Sequence, residues 1–127
     1  MEFKLKETLK DGNNFNYELI EGNSVVGLSQ IRIKPSKGAS MPEGFESNMS
    51  YEILSEFRGK GYGGKLFSLA LEKLFELGVK EPIITCRDAN IPSMKIIELS
   101  GGTLVNQKNK ETGKEKGELM NKYVFKR

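Results

Sequence analysis

The stretch Arg58-Gly59-Lys60-Gly61-Tyr62-Gly63-Gly64-Lys65 constrains this chain more than any other part of it. Four of its eight residues are glycine, and it separates a strand-like segment, Met49 to Leu54, from a helix-like one. From Gly63 onward, Lys65, Ser68, Glu72 and Glu76 recur as a single polar stripe. Leu66, Phe67, Leu69, Ala70, Leu71, Leu74 and Phe75 fill the remaining positions. That pattern predicts a largely buried helix, stopped by Gly78. Glycines allow the backbone to approach a ligand closely, and a helix start adds unpaired N–H donors and partial positive charge. A turn of this kind suits a phosphate, with Arg58, Lys60 and Lys65 adding mobile charge around it. A plain ligand-free turn would avoid the entropic cost of so many glycines.

The segments on either side read as strands and one more helix. Phe15 to Ile20 and Val25 to Ile33 form a hairpin about the dipeptide Gly22-Asn23, whose residues tolerate positive φ. Lys34 to Asn48, with two prolines, two glycines and three serines, reads as a mobile loop. Ile83 to Cys86 is a short apolar strand, and Asn90 caps a helix over Ile91 to Ser100 that opens on Pro92 and ends at Gly101-Gly102. Thr103 to Val105 and Lys122 to Phe125 are the last strands. The charged run Asn106 to Asn121 between them reads as a solvated connection. The order predicts an α/β or α+β protein with a parallel crossover around the long helix, in a single domain spanning residues 1–127.

Composition removes several kinds of chemistry. The chain has no histidine, so neither a Ser-His-Asp nor a Cys-His nucleophile is available and the commonest transition-metal ligand is missing. No metal is expected. Its single cysteine, Cys86, lies in an apolar run with nothing to activate it and reads as a buried thiol. With no disulfide possible, no signal-like leader and no apolar run of spanning length, a soluble, cytoplasmic setting away from membranes is expected. The net charge of +3 suits an anionic ligand. Basic residues are not interleaved with aromatics as a nucleic-acid surface requires, so no nucleic-acid partner is expected.

Three phosphate-binding patterns compete for the loop. Gly59 to Lys65 satisfies the first part of a Walker A sequence, but Leu66 stands where the magnesium-binding hydroxyl belongs. Gly59, Gly61 and Gly64 also meet the spacing of a dinucleotide fingerprint, yet the chain is too short for the doubly wound unit that fingerprint opens. The third pattern fits. Arg58-x-x-Gly61-x-Gly63 between strand and helix resembles the coenzyme A pyrophosphate loop of the GCN5-related N-acetyltransferase (GNAT) superfamily. The resemblance continues in Asn90 with Ser93 and through Gly102, and covers roughly Phe15 to the C-terminus.

The resemblance implies a mixed, splayed sheet with a central buried helix and a second helix toward the C-terminus. It implies acetyl-CoA as cosubstrate, held by the backbone of Ile53, Leu54 and Ser55, by Arg58, Gly59, Lys60, Gly61, Tyr62, Gly63, Gly64 and Lys65, and by Asn90 and Ser93. In family terms the acceptor is a primary amine on a small molecule or peptide, which must lose a proton to a base. Glu52 is the candidate base and Tyr51 the fallback, and strand alternation puts them on opposite faces. A backbone N–H near Ile53 or Leu54 would stabilise the oxyanion.

The chain departs from the family pattern twice. Ile97 occupies the position of the tyrosine many members use as general acid, leaving Tyr123, Ser93 or water for that role. The N-terminal helical region is shortened to Met1 to Asn14, so the acceptor site is open, built by the Lys34 to Asn48 loop, or completed by a second subunit of a homodimer. Both departures also permit a non-catalytic acyl-CoA-binding module.

Overall fold

Alternation between apolar and polar residues sets the first strands. The computed structural model describes residues 3–126. In β2 (Asn14–Glu21), Phe15, Tyr17 and Leu19 are buried, whereas Asn16 and Glu18 turn to the other face. The strand β3 (Ser24–Ser36) returns antiparallel about Gly22-Asn23, with Gly22 at φ +63°. Its register sets Glu18 opposite Leu28, Tyr17 opposite Ser29 and Asn16 opposite Gln30. This is the expected hairpin. Ahead of it, β1 (Phe3–Asp11) pairs antiparallel with β2. The shortened N-terminal region is therefore a strand with no helix among its described residues, and Met1 and Glu2 lie outside them.

The sheet order is β1-β2-β3-β4, with β4 (Ser47–Ile53) as the outer strand. The Leu54 N–H donates to Val26 O at 2.9 Å, which sets Leu28 opposite Glu52 and Gln30 opposite Ser50. A second sheet, ordered β5-β7-β6, contains β5 (Ile83–Arg87), β6 (Thr103–Asn109) and β7 (Leu119–Val124). The crossover expected to join parallel neighbours therefore links strands of two different sheets. Side chains stand in for a ladder near their start: Asn48 Oδ1 accepts from Ile83 N at 2.8 Å, and Ser47 Oγ donates to Ile83 O at 3.3 Å.

Contacts group the residues into two units, Met1–Lys34 with Met49–Val79, and Pro35–Asn48 with Lys80–Arg127. In the first, α1 (Tyr62–Glu76) buries Leu66, Phe67, Ala70, Leu71 and Leu74. Leu66 packs with Leu19 and Val26, around which Tyr51, Ile53, Phe57, Tyr62 and Leu69 close. The helix ends in a Schellman turn, Val79 N to Leu74 O and Gly78 N to Phe75 O, with Gly78 at φ +92°.

In the second unit, α2 (Ile91–Leu99) also ends in a Schellman turn, Gly102 N to Ile97 O and Gly101 N to Glu98 O. Two expectations are corrected here. Strands β6 and β7 extend well into the charged run, leaving only residues 110–118 as connection. That connection is organised about a buried cation, since Lys110 Nζ meets Glu115 at 2.6 Å and Glu118 at 3.2 Å. The segment expected as a loop over Lys34 to Asn48 begins and ends as strand. Between those strands Phe45 is buried, and Glu43 O accepts from Lys108 Nζ at 3.1 Å.

Candidate active site

Where β4 ends, the chain makes a single 3-10 turn over Ser55–Phe57 and enters the glycine loop. The turn is tied back by Phe57 N to Leu54 O at 2.9 Å, and the Arg58 Nε–H donates to Ile53 O at 2.9 Å. Gly59 and Gly61 take φ of +78° and +83°, a left-handed conformation that L side chains rarely adopt. A Cβ built on either would meet nothing within 4 Å, so the space beside the loop is open. Lys60 Nζ lies 6.0 Å from the Phe57 ring centre, and Phe57 meets Tyr62 edge to face.

Gly61 is the N-cap of α1 and supplies no capping side chain, and the first turn contains no acidic residue. The first N–H groups of a helix have no intrahelical partner, so this end presents donors and partial positive charge. Lys60 and Lys65 are exposed beside it. The residues present thus fit a pyrophosphate, by donors, by charge and by open space.

β4 divides its residues between two faces. Tyr51 packs edge to face on Phe67 at 5.3 Å, and Ile53 joins the core under α1. Glu52 points the opposite way, exposed, into an open groove of about 540 Å³. The Leu54 N–H is already given to Val26 O, whereas alternation turns the Ile53 N–H away from β3. Of the two candidate oxyanion donors, Ile53 is the one not bonded to β3.

Tyr51 also lines the groove, and the other walls come from residues that sequence reasoning did not single out: Thr8, Asn16, Tyr17, Glu18, Leu28, Ser29, Gln30 and Ser50. Tyr17 OH donates to Glu7 at 3.4 Å, and burial followed by that carboxylate pushes its pKa up. Arg32 Nη1 donates to Gln30 Oε1 at 2.7 Å and to Ser50 Oγ at 3.2 Å. The Gly22-Asn23 turn alone does not reveal them, because a bulge between Leu19 and Ile20 shifts the register and brings Glu18 rather than Tyr17 opposite Leu28.

Asn90 and Ser93 belong to the second unit. Asn90 Oδ1 accepts from Ser93 N at 3.2 Å and caps α2, as expected. Ile97 is fully buried. Tyr123 is sealed at 1% exposure, its hydroxyl donating to Glu98 Oε2 at 3.3 Å. Burial raises its pKa further, which makes it a poor proton source. Cys86 is buried and its thiol is pushed up to about 11, first by burial, with Asp88 and Glu98 adding and a Ser93 hydrogen bond offsetting part. No set of three or more Cys, Asp or Glu among the described residues is placed to hold a metal ion. No described helix is long and apolar enough to cross a membrane.

The acetyltransferase (GNAT) family model matches residues 2–101, which include the glycine loop, Glu52, Asn90 and Ser93. The chain belongs to the GNAT family. Solved structures agree with this GNAT fold. A Bacillus subtilis acetyltransferase in complex with CoA aligns with a TM-score of 0.71 at 10% identity, covering 99% of each chain. The spermidine/spermine N-acetyltransferase SpeG of Vibrio cholerae, in complex with manganese ions, aligns at 0.73 and 16% identity, covering 91% of this chain and 66% of that one. RimL, a ribosomal alpha-N-protein acetyltransferase in complex with CoA, aligns at 0.68 and 17% identity, and this GNAT chain spans 62% of its length. At such identities the likeness is one of fold. No curated protein sequence matches the chain.

Proposed function

We propose that this GNAT protein transfers an acetyl group from acetyl-CoA to a primary amine by direct attack. The observation that carries the proposal is the uncapped, acid-free N-terminus of α1 behind Gly59 and Gly61. It supplies what a pyrophosphate needs, and the family supplies the chemistry. Bound acetyl-CoA provides an acetyl thioester; overall an amide bond forms to the amine nitrogen, the C–S bond breaks, the thiolate leaves and nitrogen loses one proton.

The chain's own residues take the remaining parts. Arg58, Lys60, Lys65 and the N–H groups of the loop hold the phosphates. Ile53 N–H is the hydrogen-bond donor for developing negative charge on the acyl oxygen. Glu52, exposed in the groove at the end of β4, takes the proton from the attacking amine. No side chain is required as acid, since a thiolate leaves readily, and this agrees with Ile97 in the core and Tyr123 sealed from solvent.

Those same two residues favour a second reading, a non-catalytic acyl-CoA-binding module. Calorimetric titration with acetyl-CoA and with CoA, followed by thiol release on adding amines, separates the two. Binding with amine-dependent release is expected. Binding without release selects the module, and absence of binding sinks both.

A further inference from the structure

On the face of the β1–β4 sheet that points away from α1, three residues form a row. Glu18 of β2 pairs with Leu28 of β3, and Leu28 lies opposite Glu52 of β4 by the register of the Leu54-to-Val26 hydrogen bond. All three line the groove, and Leu28 is 37% exposed. With adjacent strands about 4.8 Å apart, the backbones at Glu18 and Glu52 are separated by roughly 10 Å, with Leu28 midway. The row therefore reads carboxylate, hydrocarbon, carboxylate.

Neither Glu18 nor Glu52 forms an ion pair among the described residues. Lys6, the β1 partner of Glu18, is exposed and is not part of the groove wall. Arg32 is occupied with Gln30 and Ser50 one row away. In that next row, Asn16 Oδ1 is buried with no hydrogen-bond partner among the described residues, an uncommon state for a buried acceptor and one that a ligand N–H relieves.

We propose that this row selects an α,ω-diamine as the acetyl acceptor, an inference that rests on the acetyltransferase reading above. One amine, neutral, is presented to Glu52; the distal ammonium pairs with Glu18; the methylene chain crosses Leu28. A monoamine forfeits the Glu18 contact, and an amino acid brings a carboxylate toward two others.

The test is direct titration of the whole protein, with CoA present and absent, using putrescine, cadaverine, n-butylamine and a lysine-containing peptide as probes. Putrescine or cadaverine should bind more tightly than n-butylamine by up to about five-fold, the range of a partly exposed ion pair. Glu18→Gln should remove that advantage and raise the KM for putrescine more than it lowers kcat, because the distal contact is present before and during the reaction. Leu28→Ser should weaken the diamine and n-butylamine alike. Equal affinity for diamine and monoamine, an unchanged ratio in a folded Glu18→Gln variant, or preference for the peptide overturns the proposal. Failure of acetyl-CoA to bind in the same instrument, with diamine preference intact, overturns the acetyltransferase reading instead.

Discussion

Glu52 and Ile53 are neighbours in sequence whose side chains part at the strand, one to an open polar groove and one to the core beneath α1. That division lets one short segment serve both as candidate base and, through its backbone, as oxyanion donor. Gly61 works by having no side chain. Gly61→Glu would project a carboxylate into open space beside the loop, where it meets nothing within 4 Å, so the fold should survive at a cost of about 1–2 kcal/mol for the left-handed backbone. Acetyl-CoA binding should nonetheless be lost, because the added charge faces the phosphates. Calorimetry on a variant with near-native circular dichroism checks this. Ile97→Ala, the contrasting change, should cost about 2–5 kcal/mol of stability and leave CoA affinity unaltered. Cys86 gives a pH signature. Its folded pKa is raised from 9.0 to about 11, so the protonated thiol contributes stability that is full below about pH 9 and lost as pH climbs toward 11. Tyr17 and Tyr123 are shifted the same way. The Cys86 share is therefore the difference between wild type and Cys86→Ala in urea midpoint against pH, and parallel curves over that window would refute it.

At the level of elements, the two helices stop by the same device, a Schellman turn on glycine. At the left-handed glycines of the two turns, Gly78 and Gly101, a Cβ would meet nothing within 4 Å, whereas one residue further on, at Gly102, it would lie 2.8 Å from Ile97 Cγ2 and 2.8 Å from Phe125 Cζ. Gly102→Ala should therefore destabilise by about 1–3 kcal/mol through overpacking, and the denaturant midpoint reads it. Asn90→Ala should cost about 1 kcal/mol for the lost cap. Which elements were legible follows from the same physics. The hairpin about Gly22-Asn23, the stripe of α1 and the Asn90 cap are local signals, and each agrees with the structure to within a residue or two, except that β3 runs three residues past Ile33 to Ser36. β1 was missed although Met1, Phe3 and Leu5 alternate with Glu2, Lys4 and Lys6, because the family resemblance pointed to a helical N-terminal region; the strand pairs antiparallel with β2. The start of β6 at Thr103 to Val105 was expected, but its continuation to Asn109 hid inside a charged run, because an edge strand exposed over its whole length needs no apolar face. Lys110 looked solvated because sequence does not show that Glu115 and Glu118 fold back onto it. The loop residues of the site were legible as a motif. The groove was not, since its walls come from strands whose register had to be known before Glu18 and Glu52 could be placed in one row.

For the whole molecule, the question is whether the two units melt as one. β4 begins at Ser47 in the second unit and ends at Ile53 in the first, and the chain passes between the units after Lys34, Asn48 and Val79. Unfolding either unit while leaving β4 intact would strip that strand of partners at one of its ends. We therefore expect one cooperative transition, with calorimetric and van't Hoff enthalpies equal. Acetyl-CoA at about one hundred times its Kd should then stabilise the folded state by about 2.7 kcal/mol, which for a chain of this size raises Tm by roughly 10 °C. In the single-domain reading the entire transition moves, including the part reported by Tyr123 in the second unit. Two resolved transitions, of which only one shifts with acetyl-CoA, would show instead that the units fold separately and would locate the binding energy in the one that moved.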